Sequence, residues 1–302
     1  MRKTLIAALL GLFVAASAHA EAPMVAVSIK PLHGLVAAVM KGVAEPALIV
    51  SGVASPHTYA LKPSDARALQ AARLVVWVGP RFEGFLARSL AGRTDTLAMA
   101  DIPGMTLLPA REGGVWEPHA HHGHGDHDED GPDGHLWLDP ANAARLVSAV
   151  AERLAALDPA HAQAFRANAA AELARINALD AALKARLAPL AGGTYVVFHD
   201  ATQYFEHHYG LTPAGSVTVD PDRPPSGRRL AALRDRLKAG KVACVFREPQ
   251  FAGATMATLA ADAGARTGIL DPEGTQVPAG PDAWETIMSG LATALTDCLS
   301  GG

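Results

Sequence analysis

Residues 74–79 read Leu-Val-Val-Trp-Val-Gly. Six residues are too few for a helix, the valines favour extended backbone, and the glycine supplies a stop. No polar residue alternates with the apolar ones, so both faces of such a strand must be covered. A strand of that kind belongs to a parallel sheet sandwiched between helices. Similar runs lie outward from it on the N-terminal side: MVAVSI at 24–29 and ALIV at 47–50, with a fourth extended stretch at 96–99. Helical segments alternate with them, from Pro31 to Met40, Ala66 to Ala72 and Phe82 to Leu90. The alternation restarts further on. TYVVF (194–198), Leu211 to Val219, VACVF (242–246) and Thr267 to Leu270 read as extended. Helices are expected over Ala201 to Tyr209, Ser226 to Ala239, Ala252 to Ala263 and Trp284 to Cys298. The fold class is therefore α/β, with two Rossmann-like lobes built on parallel sheets.

Between the lobes lies a long helical stretch. Asp139-Pro140 is a helix start, with Asp as cap and Pro at the first helical position. That helix runs to about Leu157, and Asp158-Pro159 opens a second. Phe165, Ala169, Leu173, Ile176, Leu179, Leu183 and Leu187 then recur at three- and four-residue steps. At about 1.5 Å per residue this helix is roughly 40 Å long. Pro189 and Gly192-Gly193 end it. The expected organisation is a leader over 1–20, a first lobe over 21–157, a linker helix over 158–190 and a second lobe over 191–302.

The leader reads as a secretory signal. Met1-Arg2-Lys3 is basic, Leu5 to Ala16 is a short apolar run, and Ala18-His19-Ala20 fits a cleavage site. The apolar run is too short to span a membrane. A periplasmic location follows as the expectation. The formal net charge of -4 comes with no basic patch, which argues against nucleic acid. Two cysteines, Cys244 and Cys298, read as one disulfide in an oxidising compartment. Closing a loop of roughly 54 residues would stabilise the fold by about 4 kcal/mol in a chain-entropy picture.

The chemistry is concentrated in histidine. Of 13 in the chain, His119, His121, His122, His124 and His127 crowd into one acidic, glycine-rich stretch. That loop, taken as 119–134, lacks apolar anchors and reads as a solvated, low-affinity metal collector. It runs into Gly134-His135-Leu136-Trp137-Leu138-Asp139-Pro140, which has an ordered, apolar character. His57, His135 and His199 each stand beside an apolar extended segment or a helix start, and Asp271 stands just after a strand. In open α/β sheets ligands bind beyond the carboxyl ends of the strands. If the lobes face each other, these four converge on one cation. Zn2+ suits nitrogen and oxygen donors of this kind, while Mg2+ and Ca2+ want oxygen. Copper and nickel also accept imidazole, so donor type alone leaves the metal open. Asp200, Asp139 and Glu248 are placed to accept from an imidazole N–H, although each reads first as a cap or surface pair. Trp137 and Tyr59 are expected to wall the cleft or fill a lobe core. His207 and His208 are expected to face solvent, with His33 and His161 as bystanders.

The chain resembles the zinc-binding ZnuA-type proteins, the metal-binding subunits of bacterial ABC importers in the cluster A-I class. The resemblance rests on SPHTYALKPSD (55–65), the His-rich insertion, GHLWLDP (134–140), FHDATQYFE (198–206), CVFREPQF (244–251) and LDPEG (270–274). It implies two lobes joined by a rigid helix, one metal site between them, and delivery of zinc to an inner-membrane ABC permease. The positions matching the family's ligands are His57, His135, His199 and Asp271. A histidine at 199, where manganese-type relatives place a carboxylate, favours zinc. The cysteine pair matches a disulfide of zinc-type members. Some zinc members carry an acidic residue just before the first ligand; here that place is Pro56, so the fourth position falls to Asp271 or to water.

The expected function is thus periplasmic zinc capture for an importer, by a monomer that is not an enzyme. A secreted zinc hydrolase is the rival reading, since three histidines and a water can be catalytic. No H-E-x-x-H is present, and no Glu adjoins a ligand to act as base. A periplasmic metal buffer or chaperone is the third.

Overall fold

The computed structural model describes residues 24–111, 131–218, 221, 226–240, 242–251 and 253–301. The expected leader and the five clustered histidines from His119 to His127 lie outside the described residues.

The first sheet contains β1 (Val25–Val27), β2 (Ala47–Leu48), β3 (Leu74–Trp77) and β4 (Thr96–Ala98), in the order β2-β1-β3-β4. All three pairings are parallel. The 74–79 stretch lies inside this sheet, and Leu74, Val75 and Val76 are fully buried. Helices α1 (Lys30–Met40), α2 (Pro63–Ala71) and α3 (Gly84–Leu90) connect the strands. Helix α3 starts two residues later than the periodicity predicts. Phe82 and Glu83 are instead held in a turn, where the Glu83 carboxylate accepts from the backbone N–H groups of Val78 (2.7 Å) and Gly79 (3.1 Å).

Next come α4 (Pro140–Leu157) and the 26-residue α5 (Ala162–Leu187), separated by a 3-10 turn at Pro159–His161. The Asp139 side chain caps α4 by accepting from the Ala141 N–H at 2.7 Å. The core face of α5 differs from the apolar stripe read in the sequence. Phe165, Ala169, Ile176, Leu183 and Leu187 are buried, but so is Glu172, while Leu173 and Leu179 are only partly covered.

The second sheet contains β5 (Tyr195–His199), β6 (Gly215–Thr218), β7 (Cys244–Arg247) and β8 (Arg266–Ile269), in the order β6-β5-β7-β8, again all parallel. Its connections are α6 (Gln203–Tyr209), α7 (Gly227–Ala239) and α8 (Ala254–Ala263). The two sheets share one strand order although the sequence shows no strong repeat.

Helix α9 (Ala283–Ser300) does not stay in the second lobe. It packs on β8 and also on α1 and α5. One apolar core therefore runs from Val25 through the linker to Leu295. Trp284 donates its indole N–H to the Trp137 carbonyl (2.8 Å), and Trp137 donates to the Pro272 carbonyl (3.0 Å). Both indoles are buried and their N–H groups paired, which ties the lobes together at depth. Cys244 and Cys298 form a disulfide between β7 and α9. Among the described residues no helix is long and apolar enough to cross a membrane.

Candidate metal centre

In a parallel sheet the chain leaves every strand at the same edge, so the following loops gather there. His57 lies on the loop after β2. His135 precedes the 3-10 turn Leu136–Leu138 that leads into α4, and His199 is the last residue of β5. The two sheets present these edges to each other. One ligand atom from each of His57, His135 and His199 lies within 4.8 Å of the other two. The ring centroids are 5.0 Å apart for His135 and His199, 5.3 Å for His57 and His199, and 5.8 Å for His57 and His135.

Two carboxylates orient this set. Asp133 Oδ1 lies 2.6 Å from His135 Nδ1 and also accepts the His135 backbone N–H at 3.0 Å. Glu248 Oε1 lies 2.9 Å from His199 Nδ1. A carboxylate accepts, so each Nδ1 carries the proton and each Nε2 keeps its lone pair. Those two Nε2 atoms are buried and have no hydrogen-bond partner. In folded proteins a buried polar atom usually has a partner. Two unpartnered nitrogens within one group of three imidazoles suit a cation between them. Glu248 reaches His199 because β5 and β7 are parallel neighbours in register, Val197 beside Phe246, so that residues just past them meet. Asp133 is a site residue that the sequence reading missed; its signal was the Asp-Gly-His spacing within 133–135.

The surroundings favour the neutral imidazole at His57 and His135 and the protonated one at His199. His57 is the exposed member on its loop, with its ring turned in against Phe82, His135 and His199. Desolvation, aided by His199 and His135, pushes its pKa well below 6.5. Burial does the same for His135. Burial lowers His199 too, but the Glu248 charge and hydrogen bond, with Asp200 and Asp133, raise it further and leave it above 6.5. Burial pushes Asp133 up to about 7. Phe82 packs edge-on against His57 (4.9 Å), His135 (5.2 Å) and Trp137 (5.1 Å), forming a dry wall. Gly134 makes this possible, since a Cβ there would stand 2.7 Å from the Phe82 ring.

A cavity of about 150 Å3 opens over the triad, lined among others by Arg81, Arg111, Asp133, Asp200 and Gln203. Arg111 donates to Asp200 through Nε (3.0 Å) and its terminal nitrogen, and to Glu206 at 2.7 Å. Asp271 is not brought into the imidazole group. Its Oδ2 accepts from the Thr275 hydroxyl (2.9 Å) and the Gln276 N–H (3.3 Å), and the residue lines a separate groove with Arg247 and Ile287.

The remaining candidates resolve individually. Tyr59 donates to Asp65 at 2.8 Å, fastening the start of α2. Trp137 is wholly buried in the core, its ring 5.3 Å from that of His135, and does not line the cavity. His208 is not a solvent histidine. Its Nε2 lies 2.7 Å from Asp180 Oδ1 on α5, and its Nδ1 3.7 Å from Asp139 Oδ1. His207 is exposed. His33 is buried against the Pro46 carbonyl (3.0 Å), and His161 pairs with Asp158 (2.6 Å).

Comparison with known proteins agrees with this geometry. The family model "ZnuA: Zinc-uptake complex component A periplasmic" matches residues 25–298. The high-affinity zinc uptake system protein ZnuA of Brucella suis biovar 1 (strain 1330) is 40% identical, covering 98% of this chain and 97% of that protein. The protein of the same name from Yersinia pestis is 35% identical, covering 91% of each. A crystal structure of ZnuA superposes with a TM-score of 0.77 at 27% identity, over 92% of this chain and 99% of that one. A zinc-bound ZnuA deletion mutant superposes with a TM-score of 0.75 at 27% identity, over 93% of this chain and 99% of that one. Two parallel sheets, three converging imidazoles and a match running nearly end to end place this chain in the ZnuA family of zinc-uptake components.

Proposed function

We propose that this protein captures Zn2+ in the periplasm and hands it to the permease of an ABC importer in the inner membrane. The observation that carries the reading is the pair of buried, unpartnered Nε2 atoms of His135 and His199 facing His57. His57, His135 and His199 supply three neutral nitrogens, and water takes the fourth place of the tetrahedron. Asp271 is held through Oδ2 by Thr275 and Gln276, and its Oδ1 is buried without a partner but outside the group of three imidazoles. An all-imidazole set favours a borderline ion over Mg2+ or Ca2+. The relatives' names, which specify high-affinity zinc uptake, support zinc in particular. A leader at 1–20, removed on export, delivers the chain to the compartment where Cys244 and Cys298 pair. The chain acts as a monomer that binds no nucleic acid. Its histidines from 119 to 127 add weaker sites.

The hydrolase reading lacks a base. Asp133 and Glu248 are committed to ligand imidazoles, and Asp200 to Arg111. Calorimetric titration of metal-stripped protein tests the assignment. One tight zinc site that survives deletion of 119–127 and is lost in His199→Ala is the expected result. A tight site that disappears with the deletion, or turnover of an ester or peptide that His199→Ala abolishes, would overturn it.

A further inference from the structure

Asp200 follows a ligand directly and lines the cavity over the triad, yet its oxygens are not in the group formed by the three imidazoles. A carboxylate so close is a natural fourth ligand, and its charge bears on both His135 and His199. What holds it back is Arg111, which comes from the other lobe. The guanidinium takes Oδ2 through Nε and Oδ1 through its terminal nitrogen, and the same nitrogen reaches Glu206. Glu206 is secured in turn by the hydroxyls of Thr202 (2.7 Å) and Tyr195 (3.1 Å). Side-chain exposure is 20% for Arg111, 8% for Asp200 and 2% for Glu206, so water competes little with these bonds. Two-point, charge-assisted bonds from arginine are among the strong hydrogen bonds a carboxylate makes.

The geometry points to Arg111 as a specificity-determining residue that sequesters Asp200 and keeps the metal site free of a carboxylate ligand. The inference rests on the zinc-capture reading and concerns how that site chooses its ion. With Asp200 held off, the donors are three imidazoles and water, which suits zinc. With Asp200 released, a hard anionic oxygen joins the set, which is what manganese(II) wants. Arg111 thus sets metal preference without touching the metal. It acts across the lobe interface, so one group both joins the lobes and fixes the donor set.

The test is titration of metal-stripped wild-type protein, Arg111→Gln and Arg111→Gln/Asp200→Asn with zinc and with manganese(II) separately. X-ray absorption of the bound zinc tells a water oxygen from a carboxylate oxygen through the carbon behind it. Arg111→Gln is expected to gain roughly ten-fold or more in manganese(II) affinity, the scale on which groups beside metal ligands act. Its bound zinc should show the water oxygen replaced by a carboxylate oxygen, with the carboxylate carbon behind it. The double variant should return manganese(II) affinity to the wild-type value, because the released group is gone. Should Arg111→Gln fail to fold, Arg111→Lys carries the same measurement, since a point charge holds one carboxylate less completely; a smaller gain in the same direction is expected. Equal losses of both metals in the folded variant would mean that Arg111 only supports the structure, and a gain that persists in the double variant would mean that another group is released. Either result overturns the inference while leaving zinc capture intact. A wild-type protein without a tight zinc site overturns both.

Discussion

Replacing Glu248 by glutamine isolates what a carboxylate behind a ligand does. Glu248 and His199 are 5% and 4% exposed, and Glu248 Oε1 accepts from His199 Nδ1 at 2.9 Å. Glutamine keeps an acceptor at that place, so the tautomer that presents Nε2 survives, but the negative charge is lost. Removing such a partner weakens metal binding by about 10–100-fold, or roughly 1.4–2.7 kcal/mol. Glu248→Gln should fall at the lower end and Glu248→Ala at the upper, because alanine also frees the ring to rotate. The pH dependence separates this from general damage. Zinc needs neutral His199, so protons compete with it, and the raised pKa of His199 makes wild-type binding weaken as pH falls through a range that begins above 6.5. Without the Glu248 charge, His199 is easier to deprotonate. The gap between wild type and Glu248→Gln should therefore be widest near about pH 8 and shrink towards about pH 6. Competition titration against a chromophoric chelator reads both. Equal zinc affinity in the two proteins near pH 8, or a gap that widens in acid, would refute the role given to Glu248.

Glu172 and Glu285 meet where α5 packs on α9. Burial, then the Glu285 carboxylate, raises the Glu172 pKa to about 8. The folded state therefore holds a proton that the unfolded chain has shed above the ordinary glutamate pKa of 4.5, so stability should fall as pH rises from about 4.5 to 8. Arg175 donates to Glu172 at 3.1 Å and glutamine keeps that acceptor, so Glu172→Gln should flatten the slope and stabilise the protein near about pH 8 by roughly 1–3 kcal/mol. Urea unfolding at both ends of the range decides it; a slope unchanged in the variant would refute the assignment. Replacing both Cys244 and Cys298 by serine opens a 54-residue crosslink from β7 to α9 and should cost about 2–4 kcal/mol in the same measurement. Zinc affinity should hardly change, because Cys244 lies at the end of β7 opposite Glu248. A large loss of affinity would show that α9 shapes the site.

Alternating apolar runs such as 74–79 were legible as parallel strands because a strand covered on both faces has no polar positions to spare. The ends of those strands pointed to His57 and His199, and GHLWLDP to His135, because ligands gather at one edge of a parallel sheet. The cysteine pair was legible too, since two cysteines in an oxidising compartment have only each other. Which atoms meet was not. Asp133 and Glu248 became partners of particular imidazoles through strand register and one tight turn, and neither leaves a periodic trace. Asp271 lies just past a strand and His199 ends one, yet the Asp271 loop folds back on Thr275 and Gln276 and keeps it from the triad. Arg111 lies 89 positions from Asp200, and nothing local in either stretch announces the other. Local pattern records which face of a segment is covered. Pairings across the lobe interface depend on how two rigid layers dock, and that is decided by the shared core around Trp137, Trp284 and α9.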